Sequence, residues 1–573
     1  MAHRPANLDE FAPDAIVVGA GLAGLVATYE LTRSGCRVVV LEQENRRNLG
    51  GQAYWSLGGL FFVDSPEQRR LGIKDSFDLA YQDWMSSAGF DRDDQDHWPR
   101  KWARAYVEFA THHKRDYLRQ LGLRVTPVVG WAERGGGLAD GHGNSVPRFH
   151  VTWGTGPEVV RVFQEPVEQA EAEGLVRFAF RHRVDELLQD EDGVVTGVRG
   201  SILEPSQRER GVASSREVVD AFDAHAPVVL VTSGGIGHNF DLLRQYWPTE
   251  RLGHFPEHMV AGVPAHVDGR MLAISEKAGA SIVNRDRVWA YTEGIHNWNS
   301  IWPNHGIRII PGPSSMWFDA DGNRFSAPNF PGYDTNSTMK AILDTGYDYS
   351  WFILTGSIIT KEFALSGSEQ NPDLTGKDLR VTLGRIVSKS APGPVEAFMK
   401  HGEDFVVSRT LEELVAGMNR LSRGGHIDLE RLRGHIEARD REITNRFSKD
   451  VQIQGIYNAR RSLGDKLSRV AKPHRILDPD AGPLIAVRLN ILSRKTLGGL
   501  ETDLSGRVLS SSGAPIPGLY AAGEVSGFGG GGVHGYNALE GTFLGGCIFS
   551  GMTAGRAAAE EITSDGGSVR HKG

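Results

Sequence analysis

The sequence predicts an α/β fold of more than one domain, on three observations. An apolar run, a glycine turn, a helix-like stretch and a second apolar run follow one another near the start; glycine crowds again into a loop near the end; and the stretch between differs in composition from both. At 573 residues the chain exceeds what one hydrophobic core usually organises. A net charge of -8, with 23% charged and 40% hydrophobic residues, offers no electrostatic footprint for nucleic acid, so small molecules are the expected partners. The two cysteines, Cys36 and Cys547, exclude a disulfide framework, a CxxC redox pair and a cysteine-rich metal site, which fits a cytoplasmic setting. The opening MAHRPANLDEFAPD lacks the apolar core of a secretory signal, and no run of about 18 apolar residues suggests a membrane span.

The first element is AIVVGAGLAGLVATYELTRSGCRVVVLEQE, residues 15–44. Its two apolar runs, Ile16–Val18 and Val38–Leu41, flank a helix-like stretch, which makes a βαβ unit. Gly19 permits the tight turn, Gly21 lets a pyrophosphate approach the backbone, and Gly24 lets helix and strand pack closely. Leu22 and Ala23 open the helix, whose N-terminus offers unpaired amides and a partial positive charge to phosphates. Glu42 closes the second strand where a carboxylate accepts the ribose hydroxyls of an adenosine. With strand, helix and acidic residue in register, the unit predicts a dinucleotide cofactor.

The next stretch, NLGGQAYWSLGGLFF at residues 48–62, adds Gly50, Gly51, Gly58 and Gly59 around Ser56. That is more open backbone than one nicotinamide site requires, and it points to FAD. Here the chain resembles the FAD-dependent oxidoreductase family that contains fumarate reductase flavoproteins and 3-ketosteroid dehydrogenases. VVLVTSGGIGHN and HVDGRMLAISEKAGA are similar to that family's segments, and RKTLGGLETDLSGRVLSSSGAPIPGLYAAGEVSG, Arg494 to Gly527, is the most specific match.

The resemblance implies a Rossmann-like FAD-binding domain formed from both ends of the chain, residues 1–282 and 471–573, with an α+β substrate or cap domain inserted at 283–470. It implies that the N-terminal loop takes the adenosine diphosphate end, with Gln52, Ser233, Gly234 and Asp268 also on the cofactor. The C-terminal loop then takes the rest, with Glu524 on the ribityl chain and Ala538 and Gly541 near the ring. The helix after that loop, TFLGGCIFSGMTAGRAAAEEI, would direct its N-terminus at the flavin, and its small residues permit close packing. Family members that tether flavin use a histidine in the first loop; this chain has Gln52, Ala53, Tyr54, Trp55 and Ser56, so the FAD is expected to be non-covalent.

The inserted region begins rich in aromatics and ends in charged helices expected to be solvated faces. Its MWFDADGNRF segment is followed by Ser326 and Ala327 where the family usually has Asn-Glu. YDYSWFILTGSIITKEF lies where the family places a strand near the substrate, which makes Tyr347 and Tyr349 candidates for an active-site phenol.

In the second loop, GEVSGFGGGGVHGYNALEGTFLGG, the candidates are His534 and Tyr536. Removing hydride from one carbon yields a C=C bond only if another group takes the proton from its neighbour. In the ketosteroid branch a tyrosine of this loop donates to the substrate carbonyl, and Tyr536 falls at that position; a phenol is a good neutral donor at pH 7. In the fumarate reductase branch an arginine and a histidine clamp a dicarboxylate. Ala538 replaces the arginine, Lys495 remains to attract an anion, and Glu540 would repel one, which disfavours a dicarboxylate. The expected function is therefore FAD-dependent dehydrogenation of a CH-CH bond beside a ketone. An enoate or dicarboxylate reductase and a non-catalytic flavoprotein are the alternatives. Without CxxC or a second GxGxxG, the expected electron partner is a quinone or a redox protein.

Overall fold

A computed structural model describes residues 8–130, 138, 140–381, 384 and 390–569. A six-stranded sheet runs in the order Arg507–Leu509, Pro515–Ala521, Val228–Val231, Ala15–Val18, Val38–Glu42, Val176–Phe180. All its pairings are parallel except the edge pair Arg507–Leu509 with Pro515–Ala521. Its central strands are apolar throughout because both faces are covered, as parallel sheets require. On one face Val17, Val38 and Val40 pack under the helices Leu22–Arg33, Thr155–Ala172 and Thr542–Val569. On the other, Ile16, Val18, Val39 and Leu41 meet an antiparallel sheet of His182–Gln189, Val195–Leu203 and Val218–His225.

The turn out of the first strand shows why glycine is obligatory there. Gly19 has φ of 105°, and a Cβ on it would lie 2.8 Å from the Thr232 carbonyl oxygen. A Cβ on Gly24 would lie 2.1 Å from the Gly19 carbonyl oxygen, so the helix can cross the turn only without a side chain. The small residues of Thr542–Val569 serve the same purpose: Cβ atoms on Gly551 and Gly555 would lie 2.6 and 2.8 Å from the carbonyl oxygens of Ala23 and Ala27.

A second, eight-stranded sheet is organised by the long strand Leu484–Thr496. Antiparallel neighbours Tyr349–Thr355 and Val288–His296 flank it, and Gly306–Ile310 follows beyond the latter. This strand lies in the segment expected to return to the FAD-binding part, yet it is the centre of the other sheet. The charged helices are not solvated all round: Leu411, Leu414, Val415 and Met418 of Leu411–Leu421, with Leu432 and Ile436 of Leu429–Glu442, are buried in the second core. Arg324, at the point of departure from the family pattern, pairs with Asp450 at 2.7 Å. Among the described residues no helix is long and apolar enough to cross a membrane.

Candidate active site

One elongated cavity runs from the first glycine turn to the start of the last helix. At its first end Gly21 caps the Leu22–Arg33 helix without a side-chain hydrogen bond and with no acidic residue in the first turn. The amides of that turn are therefore left for a ligand. Glu42 is fixed by backbone donors: its carboxylate accepts from the amides of Ala20 and Glu44, both at 2.9 Å. His182, Arg183, His266 and Arg270 also line this end.

In the middle, Gly50 and Gly51 take φ of 89° and 55° and keep the loop flat against the cavity. A Cβ on Gly59 would sit 2.0 Å from the Phe149 ring. Lys495 donates to Gln52 at 2.5 Å and lies 3.2 Å from Glu524; Gln52 also donates to Glu524 at 3.0 Å. The other Glu524 oxygen accepts the Thr496 amide at 2.9 Å. Burial lowers the Lys495 pKa, and the Glu524 charge opposes that shift.

The far end holds ionisable groups that local sequence reading did not bring together. Tyr291, 4% exposed, donates its hydroxyl to Glu540 at 3.0 Å. Arg308 donates to the same carboxylate oxygen at 2.9 Å, and its guanidinium lies 3.6 Å from the centre of the Tyr291 ring. Burial, reinforced by the Glu540 charge, raises the Tyr291 pKa well above the ordinary phenol value, so the hydroxyl is neutral. Burial lowers that of Arg308, and Glu540 opposes the shift. The first turn of Thr542–Val569 closes this end through Phe543, Leu544 and Cys547. A signal was present in the sequence: Tyr291 and Glu293 interrupt an otherwise apolar strand, as Arg308 does in GIRII, and ionisable groups in buried strands mark sites.

The predicted cofactor residues all line this cavity except Gly24 and Ala538. Gly24 packs the helix onto its turn, and Ala538 is buried beside Val260, Trp289 and Leu492. The predicted catalytic residues lie elsewhere. The Tyr536 hydroxyl bonds to Arg92 at 2.9 Å and Asp91 at 3.2 Å, and its ring lies between the guanidinium groups of Arg251 and Arg287, 3.9 and 4.3 Å away. His534 is buried against Trp84 with Nε2 on the Thr542 hydroxyl at 2.9 Å, and burial pushes its pKa down to about 3. Tyr349 bonds to Ser422 at 2.8 Å inside the second core, where Tyr347 packs against it. Apart from the cavity, His296, Glu403 and Asp404 converge, but Arg488 sits 2.8 Å from Asp404 and offsets one of the two carboxylate charges.

The residues present fit FAD: an uncapped helix start and a glycine floor for its phosphates, and a fixed carboxylate, amide and lysine where its polar chain would run. A cavity lined by residues of both glycine loops, with Tyr291, Arg308 and Glu540 at its far end, defines the class as an FAD-dependent oxidoreductase. The chain belongs to the FAD binding domain family, whose model matches residues 14–544. It is 60% identical over 549 residues to a KsdD-like steroid dehydrogenase of Mycobacterium tuberculosis, covering 96% of each chain. It is 61% identical to a KsdD-like steroid dehydrogenase of Mycolicibacterium smegmatis, covering 96% of this chain and 99% of that one. Its fold is similar to that of a 3-ketosteroid Δ1-dehydrogenase from Sterolibacterium denitrificans, with a TM-score of 0.65 at 17% identity, covering 96% of this chain and 99% of the other.

Proposed function

We propose that the chain dehydrogenates a CH-CH bond beside the ketone of a steroid-like substrate, with Tyr291 accepting the proton. The observation that carries this reading is the hydrogen bond from Tyr291 to Glu540. It commits the phenol proton to a carboxylate, which leaves an oxygen lone pair for the substrate C-H. As the substrate carbon gives up its proton to Tyr291, the phenol proton passes to Glu540, and no free phenolate has to form in a buried site. Arg308 holds Glu540 in place with a charge-assisted hydrogen bond to its carboxylate. Bound FAD supplies the acceptor for the hydride that leaves the neighbouring carbon.

The steroid class is supported by the two mycobacterial relatives, whose identities of 60% and 61% extend over nearly the whole chain. A dicarboxylate fits less well, because Lys495 is engaged with Glu524 and Arg308 with Glu540. Electrons would leave through a quinone or a redox protein, and the two free cysteines suit a cytoplasmic setting.

Anaerobic titration of the holoenzyme with 3-ketosteroids tests the reading. A 3-ketosteroid should bleach the flavin, and Tyr291→Phe should slow that bleaching by about 10²-fold or more while leaving the cofactor bound. Bleaching by dicarboxylates alone, or an unimpaired Tyr291→Phe enzyme, would overturn it.

A further inference from the structure

Behind the site lies a carboxyl group that the proposed reaction does not use. Glu293 stands two residues beyond Tyr291 on the Val288–His296 strand and is 2% exposed. One of its oxygens, Oε2, has no hydrogen-bond partner among the described residues and lies 3.9 Å from Arg308 Nε. The same guanidinium holds Glu540 at 2.9 Å through Nη1. One cation thus stands between two carboxyl groups, one in the cavity and one behind it.

We infer that Glu293 is a positioning residue for proton transfer: it shares Arg308 with Glu540, and its protonation state decides how strongly that cation is drawn away from Glu540. This deepens the reading of Tyr291 and Glu540 and rests on it. While Glu293 is protonated, the full charge of Arg308 stabilises the Glu540 carboxylate and makes it a weak base. Once Glu293 ionises, the cation is shared and a second negative charge faces Glu540. Glu540 then binds a proton more readily and draws it from Tyr291 more easily. Burial pushes the Glu293 carboxyl up to about 8, which puts this change within the working range of pH. Among the described residues, the charged or titratable groups linked to it or to Arg308 include Glu540 before the last helix, Arg308 on Gly306–Ile310, Tyr291 on its own strand and Arg494 on Leu484–Thr496. Tyr291 is held neutral, and the arginines keep their charge throughout this range.

The test is the pH dependence of flavin reduction by a 3-ketosteroid in the holoenzyme under single-turnover conditions. The wild type should gain about tenfold as pH rises through the Glu293 titration, the equivalent of one pKa unit of coupling. Glu293→Gln, a neutral mimic of the protonated acid, should stay on the low-pH plateau throughout. Glu293→Asp should restore a rise, displaced in pH because its carboxyl is one methylene farther from Arg308. A wild type with no such rise, or a Glu293→Gln enzyme that keeps it while Tyr291→Phe is impaired, overturns the role of Glu293 alone. An unimpaired Tyr291→Phe overturns the parent reading and this inference with it. If Glu293→Gln does not fold, an undisplaced rise in Glu293→Asp overturns the inference.

Discussion

Tyr536 and Tyr291 are both buried phenols, and what separates them is the company each keeps. Tyr536 follows the glycine loop in sequence, but its hydroxyl faces Arg92 and Asp91, outside the cavity. Burial raises its pKa while Arg287 and Arg92 pull the other way. Its bonds tie the glycine loop to the segment after Phe77–Ala88, where the Ala88 carbonyl also accepts the Tyr536 amide at 2.7 Å. Tyr536→Phe should therefore leave flavin reduction nearly unchanged and lower stability by about 1.5–3 kcal/mol, the scale of a hydrogen bond to charged groups. Denaturant unfolding beside stopped-flow reduction reads both effects, and a large loss of rate at full stability would return Tyr536 to the chemistry. Sequence proximity to a cofactor loop does not say which way a side chain points. Tyr291 was hard to find for the converse reason: its partners Arg308 and Glu540 come from a strand and a glycine loop distant in sequence, and nothing local to Tyr291 points to them.

At the scale of elements, the βαβ unit was legible because its rules are local. Each glycine answers to an atom a few residues away or on the adjoining strand. Gly24→Ala is the sharpest case, since a Cβ there meets the Gly19 carbonyl oxygen at 2.1 Å. The helix would have to lift off the turn, carrying its N-terminal amides away from the cavity. We expect a loss of roughly 1–3 kcal/mol from overpacking together with weakened FAD retention. Thermal unfolding and the flavin content after dilution measure these, and full retention of both would mean that the helix start is more adaptable than its packing indicates. The strand Leu484–Thr496 was not legible in this way. An apolar run of that kind suits a buried strand in either sheet, and partners such as Tyr349–Thr355 are set by long-range packing rather than by local pattern. The charged helices were misjudged for a related reason: their apolar positions form a stripe that only the second sheet gives a use.

Over the whole molecule, buried titratable groups set a pH dependence of stability. Burial lowers His150, His305 and His534 to about 4, 3 and 3, so each stays neutral in the fold where the unfolded chain would take a proton. Between those values and the ordinary pKa of about 6.5, the unfolded state binds more protons and stability rises with pH. Burial raises Glu293 and Glu369 to about 8 and 7, so the fold binds more protons than the unfolded chain above about 4.3, and their contribution falls as pH rises. The histidines outnumber the acids on the acid side; above about 6.5 the acids lower stability as pH rises, while Lys114 and Lys495, whose pKa values burial lowers, raise it. The melting temperature of the holoprotein should therefore rise from about pH 4.5 to about pH 6.5; a fall across that range would contradict this.

The long strand also decides how modular the protein is. Its Leu484 end pairs with Thr355 in the second sheet, while Lys495 and Thr496 at its other end hold Glu524 in the cavity. A cassette cut out at the ends of the inserted region, residues 283 and 470, would lose the strand between Val288–His296 and Tyr349–Thr355 and expose two raw sheet edges. The remainder would keep that strand with only the two-residue strand Val260–Ala261 beside it. Substrate range therefore should not be exchangeable between relatives by moving the insertion alone; any chimera has to carry Leu484–Thr496 with it, and with the strand come Lys495 and Thr496, which hold Glu524 in the cavity.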